Sequence, residues 1–353
     1  MINSNIILQS TLNNLFFITF ESLFLSVISI LALLISIAFF TLAERKVIAS
    51  VQRRKGPNIV GFWGLLQPLS DGLKLVLKEI IVPTTSNKGI FLLAPFLTLF
   101  LSLSGWVILP SSFDSHIVDI NLSVIYALTI SSLGIYGVLL AGWSSNSKYA
   151  LLGGLRSVSQ MISYEITISL TIVPIILLSG SLNMLVIVYV QSQSVWFIFP
   201  LFPLGIIFFI SILAETNRTP FDLPEAESEL VAGYNIEYTS ILFAMFFLGE
   251  YANILLMSSL YVILFFGGWD FFYCSVVDEL IFSLKIGIVV LIFILTRANI
   301  PRYRFDQLMI LGWKFLIPLT LSGIIFTSGL LLSFNALLLT QISKPVGYTI
   351  YTI

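Results

Sequence analysis

The sequence predicts an all-α, polytopic integral membrane protein with about eight transmembrane helices plus an interfacial amphipathic helix, forming a single integral membrane domain over residues 1–353. Three observations lead there. First, 58% of the side chains are hydrophobic and 10% charged, with a mean hydropathy of +1.02. A soluble domain carries roughly 45–50% apolar and about 25% charged residues. Second, a bilayer core about 30 Å thick needs about 20 apolar residues per helix, and eight such runs lie at 21–43, 89–110, 121–142, 161–180, 196–215, 239–267, 280–298 and 315–340. Third, the basic residues sort to one side of those runs. Disorder, fibrous repeats and a nucleic-acid surface are excluded, and the formal net charge of -1 names no partner.

The runs are divided by charges and helix breakers. Glu44-Arg45-Lys46 closes the first, Pro110 the second, Lys148 follows the third, Gly180-Ser181 ends the fourth, Arg218 follows the fifth, and Pro301 separates the last two. The stretch 181–200 is the least decisive, because Asn183, Gln191 and Gln193 dilute it. Between the first two runs, residues 65–80 read as an amphipathic surface helix. Leu65, Leu69, Leu73, Val76, Leu77 and Ile80 recur at three- and four-residue steps opposite Asp71, Lys74 and Lys78, and Pro68 suits a first helical turn. This helix either lies on the headgroups or walls a lateral opening into the protein.

With eight spans, the loops after the first, third, fifth and seventh share one side. They and their flanks hold every Lys and Arg except Lys285 and Lys344. The positive-inside rule puts that side in the cytoplasm or mitochondrial matrix, with both termini opposite. The first basic residue is Arg45, so no cleavable signal or transit peptide is expected. Heavy use of Ile, Phe, Asn and Ser hints at an AT-rich organellar gene. Cys274 and His116 are each alone of their kind. The chain by itself therefore offers neither a disulfide nor the ligands for an iron–sulfur cluster, bis-His haem or zinc. It is expected to carry no electrons.

Charges inside apolar runs are the informative residues, since a charge at mid-bilayer costs roughly 2.5–3.5 kcal/mol on insertion scales. Glu165, Glu215, Glu250 and Lys285 are the candidates, spread over successive runs, and they suggest a hydrated polar path; for any one, the alternative is a buried structural pair. The acidic segment 215–238 lies on the otherwise basic side. From Glu215 to Glu250 there are seven acids (Glu215, Asp222, Glu225, Glu227, Glu229, Glu237, Glu250) against one base, Arg218. Crowded carboxylates beside a membrane cannot all ionise cheaply, and such sets take and release protons together. A solvated acidic loop or an oxygen-ligand cation site are the alternatives. The basic counterpart is Arg45, Arg53, Arg54 and Lys55 after the first run and Arg297, Arg302 and Arg304 after the seventh.

Several motifs resemble one family. Leu42-Ala43-Glu44-Arg45-Lys46, Gln52-Arg53-Arg54-Lys55-Gly56-Pro57-Asn58, Gly64-Leu65-Leu66-Gln67-Pro68, Ser163-Tyr164-Glu165, the run from Glu215 to Tyr238 and Pro301-Arg302-Tyr303-Arg304-Phe305-Asp306-Gln307-Leu308-Met309 are similar to chain 1 of proton-pumping NADH:ubiquinone oxidoreductase, respiratory complex I. The likeness runs from about Glu21 to Ser333 and departs at Arg53, an extra base, and at Pro224. It implies eight helices at the heel of an L-shaped complex in the mitochondrial inner membrane, encoded in the organelle. Ubiquinone would be the substrate, with no cofactor bound covalently here, and FMN and iron–sulfur clusters would sit in partner subunits. Partners would be the hydrophilic-arm subunits at the quinone site, adjacent antiporter-like membrane subunits, and lipids, with no nucleic acid. Carried over residue by residue, the resemblance places Arg45, Arg54, Asp71, Arg218, Arg297 and Arg302 along a quinone tunnel. It places Tyr164, Glu165, Glu215, Asp222, Glu225, Glu227 and Glu250 on a proton path from that tunnel. Two other functions fit the residues: a membrane subunit of a related membrane-bound hydrogenase, and a stand-alone proton/cation antiporter.

Overall fold

The computed structural model describes residues 2–113, 115–222, 233–270 and 277–334, with side chains from residue 26 onward. Among these the regular structure is helical, with no strand. Ten helices follow in order: α1 (Ile2–Val51), α2 (Gln67–Leu77), α3 (Lys88–Ser104), α4 (Ser123–Ser144), α5 (Lys148–Ser179), α6 (Met184–Gln193), α7 (Phe202–Glu215), α8 (Ser240–Phe265), α9 (Asp278–Asn299) and α10 (Phe305–Ser333). Seven of them are long and apolar enough to cross a bilayer: α1, α3 with its 3₁₀ extension to Ile108, α4, α5, α8, α9 and α10.

Three boundaries differ from the sequence expectation. Glu44-Arg45-Lys46 does not end α1, which continues to Val51; charges end a membrane crossing, not a helix. The expected fourth run, 161–180, is the last part of a helix that begins at Lys148, where the Ser147 side chain accepts from the Ala150 N–H at 3.3 Å. Gly180 closes it with φ of 68°, a left-handed cap that glycine adopts without strain. The fifth run, 196–215, forms only the 14-residue helix α7, about 21 Å long at 1.5 Å per residue. The segment leading into it is irregular and held by neighbours. Ile198 N–H donates to the Phe265 carbonyl at 3.0 Å and Phe197 N–H to Gln191 Oε1 at 3.2 Å. Gln191 Nε2 in turn donates to the Ile263 carbonyl at 2.9 Å. Non-helical backbone at membrane depth is stable only where protein groups satisfy it in this way. Asn183 and Gln191, which weakened 181–200 as a span, are the N-cap of α6 and this buried clamp.

α5 and α8 are the most deeply buried of the long helices. α4 packs between α3 and α5, α3 also lies along α8, and α5 takes α7 and α10 on its remaining sides. The core runs through Tyr164, Phe208, Ile212, Phe265 and Trp269. α1 and α10 turn Ile35, Phe39, Ile325 and Phe326 outward, as lipid-facing surfaces do. Hydroxyls within the spans bond to their own helix: Thr167 donates to the Tyr164 carbonyl at 2.7 Å and Ser258 to Leu255 at 2.7 Å. Such back-bonding lets Ser and Thr sit in apolar helices without a second partner.

Glycines set the closest approaches. A Cβ on Gly142 of α4 would stand 2.9 Å from the Ala150 carbonyl oxygen of α5, and one on Gly153 of α5 would stand 2.7 Å from the Cα of Gly233. Both obstacles are backbone, which cannot rotate away, so small residues here allow the contact. Gly153→Val should therefore lower the stability of the folded chain by about 1–3 kcal/mol, read as a fall in melting temperature in detergent. Gly134→Val, where a Cβ meets nothing within 4 Å, should leave it unchanged.

Candidate functional site

Successive residues on a helix point about 100° apart, so on α1 Glu44 enters the bundle while Arg45 leaves it. Glu44 is 5% exposed. Its carboxylate accepts from Arg218 Nη1 at 3.2 Å, from Arg297 Nη1, and from the Tyr251 hydroxyl at 2.6 Å. Arg218 comes from the turn after α7, Arg297 from the last turn of α9 and Tyr251 from α8, so four parts of the fold meet on one carboxylate. The Arg218 guanidinium also lies 4.5 Å from the centre of the Tyr251 ring. Burial works against the charge of Arg218, but Glu44 and Tyr251 outweigh it and hold the group firmly protonated, above the ordinary arginine range. A cavity of about 10 Å³ lies beside the cluster, lined by Phe40, Glu44, Arg218, Ile254, Phe293 and Arg297 among others.

The expected tunnel residues thus divide into separate groups. Arg218 and Arg297 share Glu44. Arg45 pairs with Asp71 at 2.8 Å, and Gln67 Nε2 donates to the same carboxylate at 3.0 Å, fixing α2 to the end of α1. Beyond that pair, α2 leaves Leu69, Leu73, Val76 and Leu77 exposed on its apolar side, as the amphipathic pattern requires. Arg302 pairs with the buried Asp222 at 3.2 Å, joining a residue expected on the tunnel to one expected on the acidic path. Arg54 is exposed just past α1.

The acidic path is assembled around α5. Tyr164 is fully buried, donates its hydroxyl to the Leu308 carbonyl at 3.1 Å and packs its ring 5.6 Å from Phe221. Glu165, the next residue, is half-buried near Ser132 of α4. Glu215, the last residue of α7, is 1% exposed, and neither carboxylate oxygen has a hydrogen-bond partner among the described residues. Glu215 faces a cavity of about 60 Å³ whose wall includes Ser131, Met161, Asn217, Tyr234, Glu250 and Asn253. Glu250, on α8, accepts a hydrogen bond from the Tyr234 hydroxyl. Glu225 and Glu227 lie outside the described residues.

Lys285, noted with Glu165, Glu215 and Glu250 as a charge within an apolar run, sits elsewhere. Its ammonium donates to the carbonyls of Phe266, Gly268 and Asp270 at 2.8, 2.9 and 2.7 Å and lies 4.6 Å from the centre of the Trp196 ring. A cation so placed ties α9 to the carbonyls just past α8, a structural role. Sequence reasoning passed over Glu44 and Tyr251 as site residues. Glu44 was visible as a charge beside an apolar run, but nothing in the sequence showed that two part-buried arginines converge on it; Tyr251 carried no signal beyond an apolar helix. Among the described residues no three His, Cys, Asp or Glu side chains gather as a metal site would require.

Comparison with known proteins adds a family. The NADH dehydrogenase family matches residues 24–328. NADH-ubiquinone oxidoreductase chain 1 of Chondrus crispus is 57% identical over 322 residues, covering 89% of this chain and 98% of that protein. The protein of the same name from Arabidopsis thaliana is 53% identical over 311 residues, covering 87% and 95%. An NADH-quinone oxidoreductase protein of Rhodospirillum rubrum is 52% identical over 313 residues, covering 87% and 93%.

The ion pairs of Glu44 and of Arg45 on α1 should respond differently to substitution. Glu44→Gln leaves two guanidinium groups facing one neutral amide in a buried site and should cost about 3–5 kcal/mol of stability. Arg45→Ala breaks a pair that is half-exposed to solvent and should cost less than about 1 kcal/mol. Melting temperatures of the two variants, measured side by side in the same detergent, check the contrast.

Proposed function

We propose that this chain, which belongs to the NADH dehydrogenase family and is a membrane subunit of NADH-quinone oxidoreductase, walls the passage of ubiquinone and begins the carboxylate path to proton translocation. The observation that carries this reading is the cavity between Glu215 and Glu250. A cavity of about 60 Å³ is well above the roughly 10–15 Å³ that admits one water, so water can enter between two carboxyl groups carried by different helices. A buried carboxyl without a protein partner takes up and gives back a proton at low reorganisation cost, as a relay requires.

The link to quinone chemistry is the turn after α7. Arg218 N–H donates to the Leu213 carbonyl at 3.2 Å and Thr216 N–H to Ile212 at 3.0 Å, so Glu215 and Arg218 move as one piece. One faces the cavity and the other the Glu44–Arg297 cluster. Reducing a quinone to a quinol takes two electrons and two protons. The electrons come from partner subunits that carry FMN and iron–sulfur clusters; the protons are drawn from acids near the headgroup. A proton lost there shifts the charge balance around Arg218, Arg297 and Arg302, and the Glu215–Glu250 pair transmits that change toward adjacent membrane subunits. The basic residues Arg45 and Arg54 and the exposed apolar side of α2 form the mouth of the passage. The location that fits is the mitochondrial inner membrane, with the gene in the organelle, as the resemblance and the Ile-, Phe-, Asn- and Ser-rich composition suggest.

The near full-length match to NADH-ubiquinone and NADH-quinone oxidoreductase proteins favours this function over the hydrogenase and antiporter alternatives. In the assembled complex, Glu215→Gln, Glu165→Gln and Glu225→Gln should each slow quinone reduction by at least about tenfold or lower the number of protons moved per electron. Simultaneous measurement of NADH oxidation and proton uptake in vesicles checks this. Normal rate and stoichiometry in all three would refute the proton path.

A further inference from the structure

We propose that Tyr234 is a positioning residue for Glu250, its phenol holding that carboxyl at the wall of the cavity shared with Glu215. Tyr234 lies in the acidic segment, and the fold holds both its backbone and its ring in place. It sits in the 3₁₀ turn Gly233–Asn235 and is buried. Gly233 has φ of +64°, and the backbone of Gly153 on α5 presses against it so closely that no side chain fits between. The turn is thereby pinned to α5.

The ring is fixed as well. Tyr234 meets Phe246 edge-on, with centroids 5.5 Å apart; Phe246 meets Tyr238 edge-on at 4.9 Å; Tyr238 stacks on Phe91 at 4.1 Å, almost parallel. Rings from α3, α8 and the 233–238 segment thus set where the phenol points. It points to Glu250, four residues after Phe246 and so on the same side of α8, and donates to Oε1. Tyr234 and Glu250 both line the 60 Å³ cavity. Besides Tyr234, Glu250 shares that cavity with Glu215 from α7, and its charge acts on Arg218. A carboxyl facing a second acid across water would rotate between solvation by that water and withdrawal from it. A rigid phenol that holds one oxygen leaves one orientation of the carboxyl favoured at the cavity wall.

This inference rests on the proton-path reading of Glu250, so its test separates the two. Tyr234→Phe keeps the ring packing and removes only the hydroxyl. In the assembled complex it should reduce the maximal quinone-reduction rate by roughly twofold to tenfold, the range set by one hydrogen bond, at unchanged KM for quinone. In infrared difference spectra, the carboxyl band that vanishes in Glu250→Gln should shift to higher wavenumber in Tyr234→Phe, because its C=O loses a donor. A band that stays in place overturns the inference, whatever the proton stoichiometry. Normal pumping in Glu250→Gln with a shifted band would instead sink the proton-path role while leaving the hydrogen bond. Should Tyr234→Phe fail to assemble, native enzyme with isotope-labelled tyrosine supplies the test. A tyrosine C–O band that differs between wild type and Glu250→Gln supports the contact, and an identical band refutes it.

Discussion

Charge in a low-dielectric interior must be matched, and the fold of this chain follows from how each buried charge is answered. The carboxylate of Glu44 is met by two guanidinium groups and a phenol. The ammonium of Lys285 is met by three carbonyls and an indole ring. Asp222 is met by Arg302. Each match joins separate elements of the fold, so these contacts fix the arrangement of helices that apolar burial alone would leave loosely specified. Glu215 is answered differently. It is as deeply buried as Glu44, its carboxylate has no partner among the described residues, and it opens on a cavity whose wall mixes apolar side chains with Ser131, Asn217, Glu250 and Asn253. On the proposed reading, the contrast between Glu44 and Glu215 is that between a charge matched by partners and an acid left to exchange a proton.

These two kinds of site are neighbours because of a short stretch of chain. α7 ends at Glu215, and the turn that follows carries Asn217 to the cavity and Arg218 to Glu44. Gln160 of α5 holds this turn from behind, donating to the carbonyls of Ala214 and Phe221 at 2.8 Å each. The loop before α10 joins in through Tyr303, whose N–H donates to the Pro220 carbonyl at 3.1 Å and whose ring lies 5.9 Å from that of Phe221. A change of charge at the arginine cluster therefore meets a braced turn, not a free loop, and Glu215 is the acid that turn carries.

Much of this was legible in the sequence, for identifiable reasons. Apolar runs report membrane spans because length and hydropathy are all the bilayer asks of them, and the seven long helices fall on seven of the eight expected runs. The short α7 was not legible: residues 196–201 are as apolar as a helix, and only the partners supplied by Gln191, Ile263 and Phe265 reveal why they need not be one. Lys148 and Arg156 read as loop residues because charge marks the membrane boundary, whereas α5 continues through both. Within the site, the acids stood out one by one through their cost in a membrane. Their pairings did not, since pairing is a tertiary fact: Arg302 with Asp222 and Glu44 with Arg218 and Arg297 each span long stretches of chain. Tyr251 and Tyr234 carried no signal, because a tyrosine in an apolar helix or a turn looks like any core aromatic.

The central claim is that Glu215 and Glu250 communicate through water within this subunit. A density map of the assembled complex, sharp enough to show ordered solvent, tests it most directly. The account predicts ordered waters in the cavity bounded by Ser131, Asn217, Glu250 and Asn253, forming an unbroken hydrogen-bonded chain from the Glu215 carboxyl to that of Glu250. A cavity filled by a lipid tail or by collapsed side chains, with the two carboxyl groups separated by dry apolar contacts, would contradict it.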